Sequence, residues 1–131
     1  MVDQSLSSKR DAELKAMGRA FARRARRAAA ERDRQIAARQ EAARVQIEDL
    51  VRRFRSEDPH IRRIILFGSL AAGTPRNPHF DIDLAVDSDR YWELLGIALD
   101  QPIPVDLADL PRTSSHIRNR ILAEGTVLYE R

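Results

Sequence analysis

One tripeptide, Glu57-Asp58-Pro59, does most to limit what this chain can become. A proline ring pushes the residue before it out of the helical region, so a helix arriving from the N-terminal side has to stop here. Up to Ser56 the sequence is rich in Ala, Arg, Glu and Gln, residues that favour helix. Beyond Pro59 the apolar runs are short and punctuated by Gly, Pro and Asn, the pattern of strands and tight connections. We therefore expect residues 1–60 to form an Arg/Ala-rich helical arm followed by a first packing helix, and residues 61–131 to form a mixed core.

In the helical half, Ser8 and Asp11 read as a capping box that opens the helix. Apolar residues then recur at steps of three and four in two sets, Leu14, Met17, Phe21, Ala25, Ala28 and Ile36, Ala43, Ile47, Leu50, Phe54. The sets fall out of phase around Arg32 to Gln35. An unbroken helix over this span would be about 70 Å long, more than one small domain can cover. The expectation is that it bends, breaks or meets a partner. The second stripe suits packing on the chain's own sheet, or on another helix with Gln40 as a polar seam residue. The first suits an interaction arm.

In the second half, Ile61 to Phe67, Phe80 to Val86, Ile103 to Leu110 and Thr126 to Tyr129 read as strands. Asp89 to Leu99 reads as a helix with Trp92, Leu95 and Leu99 on one face. Thr113 to Glu124 reads as another, closed by Gly125. Strands and helices mix without regular strand-helix-strand repeats, which predicts an α+β fold, a small mixed sheet packed on helices.

Composition narrows the chemistry. There are no cysteines, and His60, His79 and His116 lack metal-ligand spacing, so a bound metal is expected to be a hard, oxygen-ligated ion. No run approaches the length of a membrane span and the N-terminus lacks an apolar leader core, from which a soluble cytoplasmic protein is expected. The formal net charge of +3 is unevenly spread. Residues 1–60 carry 15 Lys and Arg against 10 Asp and Glu, whereas residues 61–131 carry 8 against 10. The cluster Arg23, Arg24, Arg26 and Arg27 would attract phosphates. Interleaved acids such as Glu31, Asp33, Glu41 and Glu48 and the scarcity of aromatic residues there favour a solvated helix face or a protein-partner surface over nucleic acid.

The chemistry-bearing residues lie in the second half. Asp81 and Asp83 are two apart on a strand, so both side chains leave one face with Cα atoms about 6.5 to 7 Å apart. They can share a cation, or they can be a solvent-facing edge relieved by basic neighbours; the pair alone leaves both readings open. Asp106 alternates with Val105 and Leu107. It completes a three-carboxylate pocket if its strand lies beside Phe80 to Val86, and is otherwise a plain outward-facing residue. Gly68-Ser69 ends a strand and opens a turn in which backbone N–H groups and a hydroxyl can face a phosphate, and no Gly-Lys-Ser/Thr follows to make it a P-loop.

The combination Leu66-Phe67-Gly68-Ser69, Asp81-Ile82-Asp83-Leu84 and Val105-Asp106-Leu107 resembles the signature of the nucleotidyltransferase/DNA polymerase beta superfamily. It is most similar to the minimal nucleotidyltransferases, the partners of HEPN toxins. The resemblance covers about residues 61–131 and extends to the helix, Glu-Gly turn and Leu-Tyr strand of Ile121 to Tyr129. It implies a phosphate-binding turn at Gly68 and Ser69, metal-binding and catalytic acids at Asp81, Asp83 and Asp106, magnesium as cofactor, and ATP or another nucleoside triphosphate as substrate. The implied reaction moves a nucleoside monophosphate, most often AMP, onto an acceptor hydroxyl, with Asp106 as a possible general base. Relatives often carry a basic residue where this chain has Ala72, and commonly Ser where it has Phe80. Arg76 can replace that charge on the triphosphate or be a solvated loop residue. The resemblance leaves two functions open: an enzyme that modifies a protein acceptor such as a HEPN-type toxin, and an antitoxin that neutralises its partner by contact alone. Association through the N-terminal helices, with a toxin or with a second copy, fits either.

Overall fold

The computed structural model describes residues 4–131. Its elements are helix α1 (Gln4–Glu57), strand β1 (Arg63–Phe67), the short helix α2 (Gly68–Ala71), strand β2 (Ile82–Asp87), helix α3 (Tyr91–Leu99), strand β3 (Val105–Asp109), helix α4 (Ser115–Glu124) and strand β4 (Thr126–Glu130). A 3₁₀ turn, Leu110–Arg112, joins β3 to α4. The chain divides into two compact units, one ending at Gln35 and the other spanning Ile36–Arg131.

In the first unit the helix carries Leu14, Met17 and Phe21 on one stripe, and all three are about two-thirds exposed, at 65%, 66% and 68%. Arg34 pairs with Glu31, whereas Arg23, Arg24, Arg26 and Arg27 make no ion pair among the described residues. Ser8 is not a cap: the helix already runs through it from Gln4, so the Ser8–Asp11 signal lies inside a turn that propensity alone sustains. Nor does the change of phase at Arg32 to Gln35 interrupt α1, because nothing there removes a backbone donor.

In the second unit a four-stranded sheet has the order β3-β2-β1-β4. β1 pairs antiparallel with β2 and with β4, and β2 pairs parallel with β3, as the mixed-sheet expectation required. One face is covered by the C-terminal part of α1, through Ala43, Ile47, Leu50 and Phe54, and by Leu94 and Ala98 of α3. These pack on Ile64, Ile82, Leu84, Val86, Val105 and Leu107. The opposite face has a smaller cluster, Ile65, Ala85, Leu110 and Ile121, the last from α4. Two-residue alternation along β2 therefore assigns Ile82 and Leu84 to the larger core, and Asp83 to the other face with Ala85.

Polar contacts fix the frame. Gln46 is buried on α1, donates to the Ile103 carbonyl at 2.8 Å and accepts from the Ile103 N–H at 3.0 Å, so its amide pairs both backbone groups of the residue leading into β3. Asp58, just beyond α1 where Pro59 ends the helix, is buried and accepts from the Ser88 hydroxyl at 2.6 Å and the His60 N–H at 2.9 Å. The Tyr91 hydroxyl donates to the Leu107 carbonyl at 2.6 Å, tying α3 to β3.

Two local expectations are corrected. On α3 the face that packs is Leu94 and Ala98, while Trp92 and Leu99 are 71% and 72% exposed. Both faces of this helix are apolar, so periodicity could not choose between them. At the end of α4, Gly125 does not adopt a left-handed conformation; its φ is −77°. Glycine is needed there for space, since a Cβ would lie 2.5 Å from the Ile121 carbonyl oxygen and 2.6 Å from Cγ2 of Ile65.

Candidate functional site

The sheet register assembles the site. Phe67 on β1 lies opposite Asp83 on β2, and Asp83 lies opposite Asp106 on β3, giving one row across three strands. The chain leaves β1 at Phe67, so Gly68 follows at the end of that row. Gly68 has φ +78°, a region open to glycine at little cost, and a Cβ there would run into the Asp83 carboxylate. The turn and the acid are thus packed backbone against side chain, which only glycine permits. Ser69 is exposed in the first turn of α2, whose leading N–H groups have no intrahelical acceptor.

The electrostatics follow from this row. Asp83 is half-buried, and its carboxyl is pushed up to about 6 by burial, by the charge of Asp106 and a hydrogen bond with it, and by the charge of Asp81. Asp106 is exposed. Asp81 directly precedes β2 and is half-exposed, with its Oδ1 3.9 Å from an Arg39 Nη2. Arg39 comes from α1: its Nε donates to the Phe80 carbonyl at 2.7 Å and its guanidinium lies 5.2 Å from the centroid of the Phe80 ring.

Of the six residues singled out in the sequence, five converge. Gly68, Ser69, Asp81, Asp83 and Asp106 occupy the end of β1 and the adjoining starts of β2 and β3. Arg76 lies exposed in the α2–β2 connection and makes no hydrogen bond or ion pair among the described residues. Arg39 was not anticipated from the sequence. A signal existed, for it stands four residues before Ala43 and so prolongs the buried stripe of α1 by one turn with a charged residue.

The donor set can be tested against a divalent cation. Among the described residues no three His, Cys, Asp or Glu side chains form a ready-made metal cage. Two carboxylates, Asp83 and Asp106, are nonetheless held together against their mutual repulsion. Magnesium is ordinarily held by one or two carboxylates plus substrate phosphates rather than by an all-protein cage, and a hard cation would relieve this repulsion. The residues present fit such an ion.

Beside the turn is a cavity of about 390 Å³ lined by Phe67, Gly68, Ser69 and Ala72 and, from α4, Ile117, Arg120, Ile121 and Glu124. No helix among the described residues is long and apolar enough to cross a membrane.

Comparison with known proteins bears on the family and the fold. The family model described as "Polymerase beta, Nucleotidyltransferase" matches residues 48–131. Among solved structures, the chain is similar to one described as a toxin-antitoxin with AMP-PNP, at 30% identity and a TM-score of 0.52, covering 66% of this chain and 72% of that one. A mutant of the toxin-antitoxin MntA-HpeT is similar at 26% identity and a TM-score of 0.54, over 64% of this chain and 73% of that one. The toxin-antitoxin MntA-HepT shares the fold at 24% identity and a TM-score of 0.51, over 67% and 73%. No curated protein matches the chain.

Proposed function

Because the chain belongs to the polymerase beta nucleotidyltransferase family and is similar to minimal nucleotidyltransferase antitoxins, we propose that it is a magnesium-dependent enzyme moving AMP from ATP to a hydroxyl on a partner protein. That partner is a HEPN-type toxin, and the modification is how this antitoxin acts. The observation that carries the reading is the pairing of Asp83 with Asp106 across β2 and β3, directly beside the Gly68 turn.

Each residue has a role in this scheme. Gly68 and Ser69 receive the phosphates, with backbone N–H groups and a hydroxyl as donors. Asp81, Asp83 and Asp106 hold magnesium. When bound, the metal neutralises charge on the triphosphate and lowers the pKa of the acceptor hydroxyl. The acceptor oxygen bonds to the α-phosphorus, the bond from that phosphorus to the bridging oxygen breaks, and pyrophosphate leaves. Asp106, the most exposed strand acid of the row, takes the hydroxyl proton.

The test is incubation with labelled ATP, magnesium and the candidate toxin. Label should pass to the toxin and fail to pass with Asp81→Asn or Asp83→Asn. Neutralisation that survives both substitutions, with no label transferred, would replace this reading with that of an antitoxin acting by contact.

A further inference from the structure

Resting on the nucleotide reading above, we propose that Arg39 is a triphosphate-binding residue of this site, supplied by α1. It lies before the region that the family model matches, residues 48–131. Four observations point the same way.

First, Arg39 is held in place. Its Nε is committed to the Phe80 carbonyl at 2.7 Å and its face lies over the Phe80 ring, so the side chain has already lost most of its freedom before any ligand arrives. Second, its other donors are available. Nε makes its only hydrogen bond among the described residues, and the 3.9 Å separation from Asp81 is an ion pair too long to be a hydrogen bond. The Nη groups make no hydrogen bond among the described residues, and the side chain keeps 23% of its surface exposed.

Third, no other ion pair among the described residues reaches any of the three aspartates. The turn from Gly68 to Gly73 carries no charged side chain, and Arg76 is not engaged. Fourth, a polyphosphate brought beside three carboxylates needs positive charge, and a guanidinium offers paired N–H donors that match phosphate oxygens. An arginine serving only to neutralise Asp81 would be expected to close on it with a hydrogen bond. This one is anchored to the neighbouring backbone and leaves its Nη donors without a hydrogen bond among the described residues.

The test is calorimetric titration of the full chain, with magnesium, using AMP-PNP and AMP as separate probes. Arg39→Ala should weaken AMP-PNP binding by about 10- to 100-fold, the worth of a charged hydrogen bond, and leave AMP binding nearly unchanged. Arg39→Lys should recover part of the loss. Arg39→Gln keeps the stem and a donor for Phe80 but removes the charge, so it should lose AMP-PNP affinity even if Arg39→Ala folds poorly. Unchanged AMP-PNP binding in Arg39→Gln, or equal losses for AMP-PNP and AMP, would overturn the role of Arg39 while the nucleotide reading stood. If the unmodified chain bound neither probe, that reading would fall and the inference with it.

Discussion

Asp83 on β2 and Asp106 on β3 stand directly opposite each other in a parallel register, and the charge of Asp106 helps to raise the pKa of the half-buried Asp83 carboxyl. Parallel neighbours bring like-numbered positions of two strands side by side, so two acids placed in that register share one environment whether or not a cation is present. Asp83 is the more buried of the two.

Asp83 should therefore titrate near pH 6 in the metal-free protein. Its folded pKa is raised above the ordinary aspartate value of 3.8, so between the two the native state binds a proton that the unfolded state has already lost. The sign follows: this group's contribution to stability is fully present below about pH 4 and falls as pH rises through about 6. Carboxyl-carbon NMR reads the titration directly. Asp106→Asn should move it downward, and an unmoved midpoint would show that Asp106 is not the partner.

Replacing Asp83 should separate stability from activity. Asp83→Asn removes the repulsion and much of the burial penalty, so the metal-free fold should melt a few degrees higher at pH 7, with the gain shrinking toward pH 4.5. Nucleotide transfer should fall to background in the same variant. Functional acids commonly lower stability in this way. Thermal melts at the two pH values check the first half, and a transfer assay the second.

The two glycines of the turn should respond differently to alanine. Gly68 and Gly73 both have positive φ, +78° and +70°, but only at Gly68 would a Cβ strike another residue, the Asp83 carboxylate. Gly73→Ala should cost about 1–2 kcal/mol from backbone conformation alone. Gly68→Ala should cost more and also shift the titration of Asp83. Urea midpoints and the NMR titration measure the two effects separately.

Gln46 should be worth more than its position on a helix suggests. Gln46→Leu would strip both partners from the Ile103 backbone in a buried setting, at about 1–3 kcal/mol for each group left unsatisfied. By contrast Gln40→Leu, at the position that sequence periodicity marks as a polar seam, should change stability little. Denaturant unfolding of the two variants makes the comparison.

A chain beginning at Ile36 should fold, because the residues of α1 that enter the core, Ala43 to Phe54, all lie in the second unit. If the exposed stripe Leu14, Met17 and Phe21 is an association surface, the same truncation should abolish association. Ultracentrifugation of both forms, beside circular dichroism for folding, tests this; loss of fold would show that the first unit is structurally required.

What the sequence determined by itself was whatever rests on local rules. The residue before Pro59 is pushed out of a helix, alternation turns Asp83 away from Ile82 and Leu84, and a glycine at a strand end marks a sharp turn. Four strands, the helices between them and the candidate residues as types in a pattern were legible for that reason, but not which of them meet. The tertiary structure decided what depends on residues far apart in the chain. Only strand pairing could set Asp106 opposite Asp83, since register is a relation between two segments and is written in neither. Only packing could choose Leu94 and Ala98 over the equally apolar Trp92 and Leu99. Arg39 is the clearest case: forty-one residues separate it from Phe80, and its charge looks like one more solvated arginine until α1 is laid on the sheet.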